Sequence, residues 1–251
     1  MKAVVLAAGV GSRLAPLTDD RPKVLVEVLG RSLLFRQLDL LVQAGIPHRD
    51  VVIVGGYQID MLRSELVRGG FAACTVVNNE RYAPWNNFWS LYVAEPAVRG
   101  SDVLQLDGDV LLDDQILPRM IAAPGEALLA VDVRDELDEE TMKVELRGDR
   151  VHAISKKLGA AQAVGEYIGI TKLAAGVAAQ VFTELARFPD EHLTHEYYEH
   201  AYHRLAQRGE IRFGIVDVHD CTVTEIDDVA DLARAGDMLR GDARPGQGQR
   251  R

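Results

Sequence analysis

Residues suited to handling a phosphate recur in separated groups along this chain. At the amino end an apolar run, Val4-Val5-Leu6-Ala7-Ala8, leads into Gly9-Val10-Gly11-Ser12-Arg13-Leu14 and is followed by Arg21-Pro22-Lys23. A buried strand that ends in such a loop brings backbone N–H groups close to a ligand, because glycine leaves room and fixed amide dipoles suit phosphate oxygens. Arg13 and Lys23 add positive charge beside it. The Lys-Ser/Thr ending of a P-loop is missing, and the glycine spacing lacks the third glycine of a dinucleotide fingerprint. A bare strand-to-helix turn needs no flanking cations, so the combination points to a nucleoside triphosphate.

A second group is Val103-Leu104-Gln105-Leu106-Asp107-Gly108-Asp109, an apolar strand that ends in two carboxylates around a glycine. Carboxylates at the carboxyl end of a strand lie on the ligand-binding edge of an open α/β sheet. Mg²⁺ takes one or two protein carboxylates and completes its shell with water and substrate phosphates. Asp-Gly-Asp is also a common turn, and the nearby Asp113-Asp114 reads as a solvated face. A third group, Val223-Thr224-Glu225-Ile226-Asp227-Asp228, offers another acidic strand end. Asp228 and Asp231 suit the amino terminus of the helix that follows, which leaves Asp227 as the preferred ligand. Asp107 and Asp109 both fit the requirement of Mg²⁺, and the two acidic strand ends could meet across one metal.

The elements that must hold these groups alternate. Strand-like runs at Ala3–Ala7, Val51–Val54, Cys74–Val77, Val103–Leu106 and Ala127–Val133 are interleaved with helical patterns at Leu33–Ala44 and Asp60–Arg68, the mark of βαβ units and a mostly parallel sheet. Leu34, Leu38, Leu41 and Val42 are read as one helical face, ended by Gly45. Residues 143–146 and 150–154 flank Gly148-Asp149 as a hairpin. Tyr167–Leu173 reads as a strand, and Ala175–Leu185, His195–Arg208 and Val229–Met238 as helices. The expected organisation is one domain over residues 1–240 and a disordered tail over 241–251, which is rich in Gly, Arg and Gln.

Bulk composition narrows the partners. A chain of 251 residues with 47% apolar content can bury a substantial core. A net charge of −10 argues against a nucleic-acid or anionic-membrane surface. Cys74 and Cys221 lack a CxxC partner, as expected of reduced thiols in the cytoplasm, and no stretch reaches the length of a membrane span.

Taken in order, these segments resemble a known family. Beyond the groups above they include Gly55-Gly56-Tyr57, Asn86-Asn87-Phe88-Trp89-Ser90-Leu91, Met142-Lys143-Val144, Ile154-Ser155-Lys156-Lys157 and Gly165-Glu166-Tyr167-Ile168-Gly169. The chain resembles nucleotidyltransferases related to the sugar-1-phosphate enzymes, and within them cytidylyltransferases of the phosphocholine and phosphonate type. The resemblance implies a single α/β Rossmann-like domain, with a mixed, mostly parallel sheet flanked by helices and a small β-hairpin and helical insertion for the acceptor.

It also implies a Mg²⁺-dependent transfer of CMP from CTP to a small phosphonate or phospho-alcohol. CTP would lie along Leu6, Ala7, Ala8, Gly9, Gly11, Ser12 and Arg13, its base near Gly56, Tyr57, Asn87 and Ser90. Lys23 would neutralise the α-phosphate, with Arg13 and Asp107 beside it as the catalytic set, and Asp107 and Asp227 would hold Mg²⁺ on that phosphate. Asp109, Lys156, Glu166, Tyr198, Glu199 and His200 would meet the acceptor. Relatives that handle amines carry an aspartate where His200 stands, which brings 2-hydroxyethylphosphonate beside phosphocholine and 2-aminoethylphosphonate as a candidate. A sugar- or inositol-phosphate nucleotidyltransferase and a non-catalytic nucleotide-binding regulatory domain are the alternatives. His192, His195, His200 and His203 lack the third ligand and spacing of a zinc site.

Overall fold

The computed structural model of the protein describes residues 1–240; the tail expected over 241–251 lies outside them. In chain order the strands are β1 (Lys2–Ala7), β2 (Glu27–Val28), β3 (Arg31–Ser32), β4 (Val51–Gly55), β5 (Thr75–Asn78), β6 (Val103–Asp107), β7 (Val110–Leu112), β8 (Ala127–Val133), β9 (Lys143–Arg147), β10 (Arg150–Ser155), β11 (Gly165–Leu173), β12 (Gly214–Asp217) and β13 (Val223–Glu225). The helices are α1 (Leu33–Gln43), α2 (Ile59–Arg68), α3 (Phe88–Val93), α4 (Glu95–Val98), α5 (Ile116–Ala122), α6 (Ala175–Leu185), α7 (Glu199–Gln207) and α8 (Val229–Arg240).

Strands β5, β4, β1 and β6 run parallel, and β11 closes them antiparallel to β6. Beyond β11 the sheet divides, with the β9–β10 hairpin on one branch and β8 with β12 on the other. This is the mixed α/β architecture expected from the alternation of strand and helix patterns.

The sheet is covered on both faces, so β1 is apolar throughout. Its residues alternate: Ala3, Val5 and Ala7 join the core under α1, α2 and α5, while Val4 and Leu6 join the one under α3, α6 and α7. A third cluster, built on Leu14, Val26, Leu33, Leu111, Ile226 and Ala235, ties the amino-terminal loop to β7, β13 and α8. Parallel register aligns Leu6 with Val54 and with Asp107, so the loops after β1, β4 and β6 open on one edge.

Two helix expectations change. Gln37 lies 1% exposed on the inner face of α1 beside Leu34, Leu38 and Leu41, whereas Val42 is 44% exposed. Val42 falls about 80° round the helix from Leu34, at the margin of the buried stripe. Helix α7 begins at Glu199, not at His195. The backbone before it is drawn to the Asn86-Asn87 step: Asn86 donates to the carbonyls of Thr194 and His195, and the Tyr198 N–H donates to Asn87 Oδ1.

Strand β11 changes register between Tyr167 and Thr171, and Gly169 there adopts φ +76. A Cβ at Gly169 would lie 2.6 Å from Asp107 Oδ2, so the glycine is required by the carboxylate as well as by the backbone. Gly148, at φ +66 in the β9–β10 turn, has open space around it. Gly148→Ala is expected to lower Tm by about 2 to 4 °C, the effect of roughly 1 kcal/mol of left-handed strain in a domain of this size. Gly169→Ala should lower it by at least twice as much, as read by calorimetry; equal shifts would mean that Asp107 gives way freely.

Candidate functional site

Lys23 sits at the centre of the open edge. It is 7% exposed, at the start of a single helical turn set up by Pro22, and its Nζ donates to Asp109 Oδ2 and Asp227 Oδ1, each at 2.7 Å. Burial alone would lower its pKa, but Asp109 and Asp227 outweigh that and hold the ammonium above its ordinary value. Arg13 reaches the other oxygen of Asp227 at 2.8 Å from a largely exposed side chain.

The loop of residues 8–14 is shaped around this lysine. Gly11 takes φ +70, and a Cβ there would lie 2.8 Å from Lys23 Cβ, so the lysine stem passes directly under the glycine. The Gly11 carbonyl accepts from Leu14 N–H and from the Thr18 hydroxyl. Leu6, Ala7 and Ala8 are buried at the end of β1, and Gly9, Ser12 and Arg13 face outward. Tyr57 closes one side: its N–H donates to Ala8 O, and its hydroxyl donates to Asp19 O at 2.6 Å. A Cβ at Gly56 would meet Tyr82 at 2.7 Å, so that tyrosine lies flat against the backbone beside Tyr57.

The acidic residues do not group as the sequence suggests. Oxygens of Asp109, Glu225 and Asp227 all lie within 4.8 Å of one another, a hard-oxygen donor set with the chemistry of a divalent-cation site. Glu225 reaches the surface, but its carboxyl lies in the crowded mouth of the site. Desolvation there, and then the charges of Asp109 and Asp227, push its pKa up to about 7.

Asp107, expected beside Asp227, lies on the other side of the turn. Its Oδ2 accepts from Tyr198 Oη at 2.9 Å and its Oδ1 from Gln105 Nε2 at 3.0 Å. Burial, then the nearby Glu199 and Asp109, raise its pKa well above the carboxylate range. The reason for the exchange is local. Asp107 is still in register on β6, where Gly169 makes room for its carboxylate, and Asp109 is carried past the turn toward Lys23.

Tyr198 and Glu199 join Asp107 in a buried polar cluster, the tyrosine chamber, whose side chains are packed against one another. Tyr167 Oη donates to Gln105 Oε1, and Gln105 Nε2 donates to Tyr198 Oη. Glu199 Oε2 and Tyr202 Oη are buried and, among the described residues, meet no hydrogen-bonding partner. Desolvation pushes the Glu199 carboxyl up to about 8. Lys156 stands near the entrance, 3.2 Å from Glu140 and 5.5 Å from the centre of the Tyr197 ring.

Other expected residues point elsewhere. His200 is half-buried: it packs edge-on to Phe188, lies with its ring near-parallel to that of His203 and has its Nδ1 3.9 Å from Glu196, so its ring is engaged away from Asp107. Glu166 is paired with Arg134 at the start of β11. Ser90 is 4% exposed and accepts from Asn79 Nδ2, and Asn87 Oδ1 is taken by Tyr198 N–H. These two therefore brace the site from within. Sequence reasoning passed over Glu225, Gln105 and Asn79 as site residues. Glu225 carried a readable signal, since it alternates with Asp227 on the same acidic strand end.

The comparisons with known proteins follow this geometry. The family model described as "Nucleotidyl transferase" matches residues 2–140. The choline-phosphate cytidylyltransferase of Streptococcus pneumoniae is 38% identical over 43% of this chain and 44% of its own length. The 2-aminoethylphosphonate cytidylyltransferase of Lancefieldella rimae is 30% identical over 45% of this chain and 44% of its own length. The match thus spans less than half the length of these curated relatives. The inositol-1-phosphate CTP transferase of T. maritima superposes with a TM-score of 0.77 at 22% identity, covering 97% of this chain and 98% of that one. Because the family match takes in more than half of the chain, including the glycine loop after β1, Lys23 and the Asp107–Asp109 turn, the chain belongs to the nucleotidyl transferase family.

Proposed function

We propose that the protein is a Mg²⁺-dependent cytidylyltransferase that moves CMP from CTP onto a small phosphate- or phosphonate-bearing acceptor and releases pyrophosphate. The observation that carries this reading is Lys23, buried beside the phosphate loop and bridging Asp109 and Asp227. In that arrangement an ammonium neutralises two carboxylates that a triphosphate and its cation would otherwise engage. Mg²⁺ held by Asp109 and Asp227, with Glu225 beside them, would supply charge neutralisation at the α-phosphate.

The chain's own groups do the rest. Amides of the loop after β1 receive phosphate oxygens, and Lys23 and Arg13 turn from Asp227 toward the charge on the nucleotide. Lys156 holds the acceptor's phosphoryl oxygens. One of those oxygens attacks the α-phosphorus in line, the bond from that phosphorus to the α–β bridging oxygen breaks, and its electron pair leaves with pyrophosphate. The attacking oxyanion needs no strong base, so catalysis is positioning and charge stabilisation.

The chamber behind Lys156 supports an acceptor with a cationic head. Two buried carboxyls, Asp107 and Glu199, have no cationic partner within bonding distance among the described residues, so burial favours their neutral forms, and an arriving cation would favour ionisation. His200, held against Phe188 and Glu196, lies outside this cluster, which weakens the argument for a hydroxylated acceptor. Phosphocholine and 2-aminoethylphosphonate fit this chamber better than 2-hydroxyethylphosphonate. The names of the Streptococcus and Lancefieldella relatives agree with that choice.

Pyrophosphate release in a matrix of nucleotides and acceptors tests the reading. CTP with an amino-bearing acceptor should give the highest kcat/KM, and chelation of divalent cations should abolish turnover. A preference for another nucleotide with inositol or glucose phosphate would transfer the assignment, and the absence of pyrophosphate release with every nucleotide and acceptor in the matrix would sink the enzyme reading.

Lys23→Met and Asp109→Asn are each expected to lower kcat by about 10² to 10³, the scale of losing one preorganised electrostatic contact. Asp107→Asn should instead raise the acceptor KM and leave the Mg²⁺ half-saturation in place. If Asp107→Asn shifts the Mg²⁺ curve and Asp109→Asn does not, the metal belongs with Asp107.

The Glu199 carboxyl near pH 8 generates a third expectation. Its ionised form attracts the cation and is populated as pH rises, so the KM for an amino-bearing acceptor should fall from pH 6.5 to 8.5. Glu199→Gln should flatten that trend while keeping the acceptor's own titration, and should narrow the choice of amino over hydroxyl acceptors by about 10- to 100-fold. An unchanged preference in Glu199→Gln would remove the chamber from substrate selection.

A further inference from the structure

The inner face of α1 carries one residue that core packing does not account for. Gln37 is 1% exposed, among Leu33, Leu34, Leu38 and Leu41. Its Nε2 donates to the carbonyls of Asp107 and Val110, each at 2.8 Å. Its Oε1 is buried and meets no hydrogen-bonding partner among the described residues. A buried amide with one end unsatisfied is a net liability compared with an aliphatic side chain of the same length. The site retains it all the same, and both of its bonds go to the residues that open and close the Asp107-Gly108-Asp109-Val110 turn.

That turn is otherwise held along its other sides. Gly108 N–H donates to Leu6 O of β1, and Asp109 O accepts from Ile226 N–H next to β13. Gln37 supplies the anchor from the helix side. Its helix is also the element that packs on the turn of Lys23–Leu25, since Leu33 N–H donates to Val26 O and the α1 leucines share a core with Val24 and Leu25. One rigid helix therefore braces both ends of the Lys23–Asp109 pair.

We infer that Gln37 is a positioning residue: by clamping the two carbonyls that flank Asp109, it fixes the reach of that carboxylate toward Lys23 and toward the divalent-cation site. The second half of this statement rests on the reading of the site as a metal-dependent nucleotidyl-transfer centre. The first half does not.

The test compares Gln37→Met, which keeps length and removes both donors, with Leu41→Val, a neighbouring core change on the same helix face. Amide hydrogen exchange of the segment 105–112 is measured by mass spectrometry alongside Tm, kcat, the KM for CTP and the half-saturation for Mg²⁺. Gln37→Met is expected to speed exchange in 105–112 by tenfold or more, to lower kcat about tenfold and to raise the Mg²⁺ half-saturation severalfold, with the KM for CTP changed less than twofold. Leu41→Val should lower Tm without moving exchange in that segment or the Mg²⁺ curve.

Unchanged exchange in 105–112 in folded Gln37→Met, or the same exchange change in Leu41→Val, would overturn the inference. Faster exchange with no effect on Mg²⁺ or kcat would confine Gln37 to the backbone and overturn its link to the chemistry. If wild type proves inactive with every nucleotide, the exchange comparison still decides the clamp, so failure of the enzymatic reading and failure of this one are told apart. Should Gln37→Met fail to fold, Gln37→Asn, which keeps the donors one methylene short, takes its place with the same expected directions.

Discussion

The organisation of the open edge depends on one buried ammonium. Lys23 is surrounded by protein on all but its functional side, and its charge is stable there because Asp109 and Asp227 both approach it within 2.7 Å. Those two carboxylates are far apart in the chain, and without the lysine they would repel. The ammonium thus fixes three separate pieces of backbone against each other: the turn after Pro22, the turn between β6 and β7, and the link between β13 and α8. Leu14, Leu111 and Ile226 share a core directly beneath, so the charged junction has an apolar floor that resists rearrangement.

The two aspartates of the turn after β6 diverge. Asp107 keeps the orientation of a strand residue and enters the tyrosine chamber, where Gly169 leaves the space for it. Asp109 is turned to the opposite side and joins Lys23. A change in the angle of this turn would move both carboxylates together, which gives the buried amide of Gln37 its importance. It also explains why a polar residue interrupts the leucine stripe of α1.

Much of this was readable in the residues. The alternation of β-branched runs with helical patterns located β1, α1, β4, α2 and β6 to within a residue or two, because each strand is buried on both faces and each helix on one. The glycine loop after β1 and the cations beside it were visible from their residue types, and the structure places Lys23 under Gly11. The start of α7 was not, since the periodic pattern from His195 continues into the helix while the bonds from Asn86 and Asn87 that hold residues 194–198 out of it come from a distant segment. The place of His200 escaped for the same reason: a helical repeat gives which residues share a face, but not which neighbour that face meets.

By itself the sequence determined the class of fold and the inventory of charged groups, since burial periodicity, glycine placement and carboxylates at strand ends are local properties of the chain. Only the tertiary structure decided which acids act together. It placed Asp109, and not Asp107, with Asp227 and Glu225, and it put Glu199, and not His200, in the chamber with Tyr198. The physical reason is that the direction of a side chain in a two-residue turn is set by what closes around it, here Gly169, Gln37 and Lys23, and those contacts come from parts of the chain far from Asp107 and Asp109 in sequence.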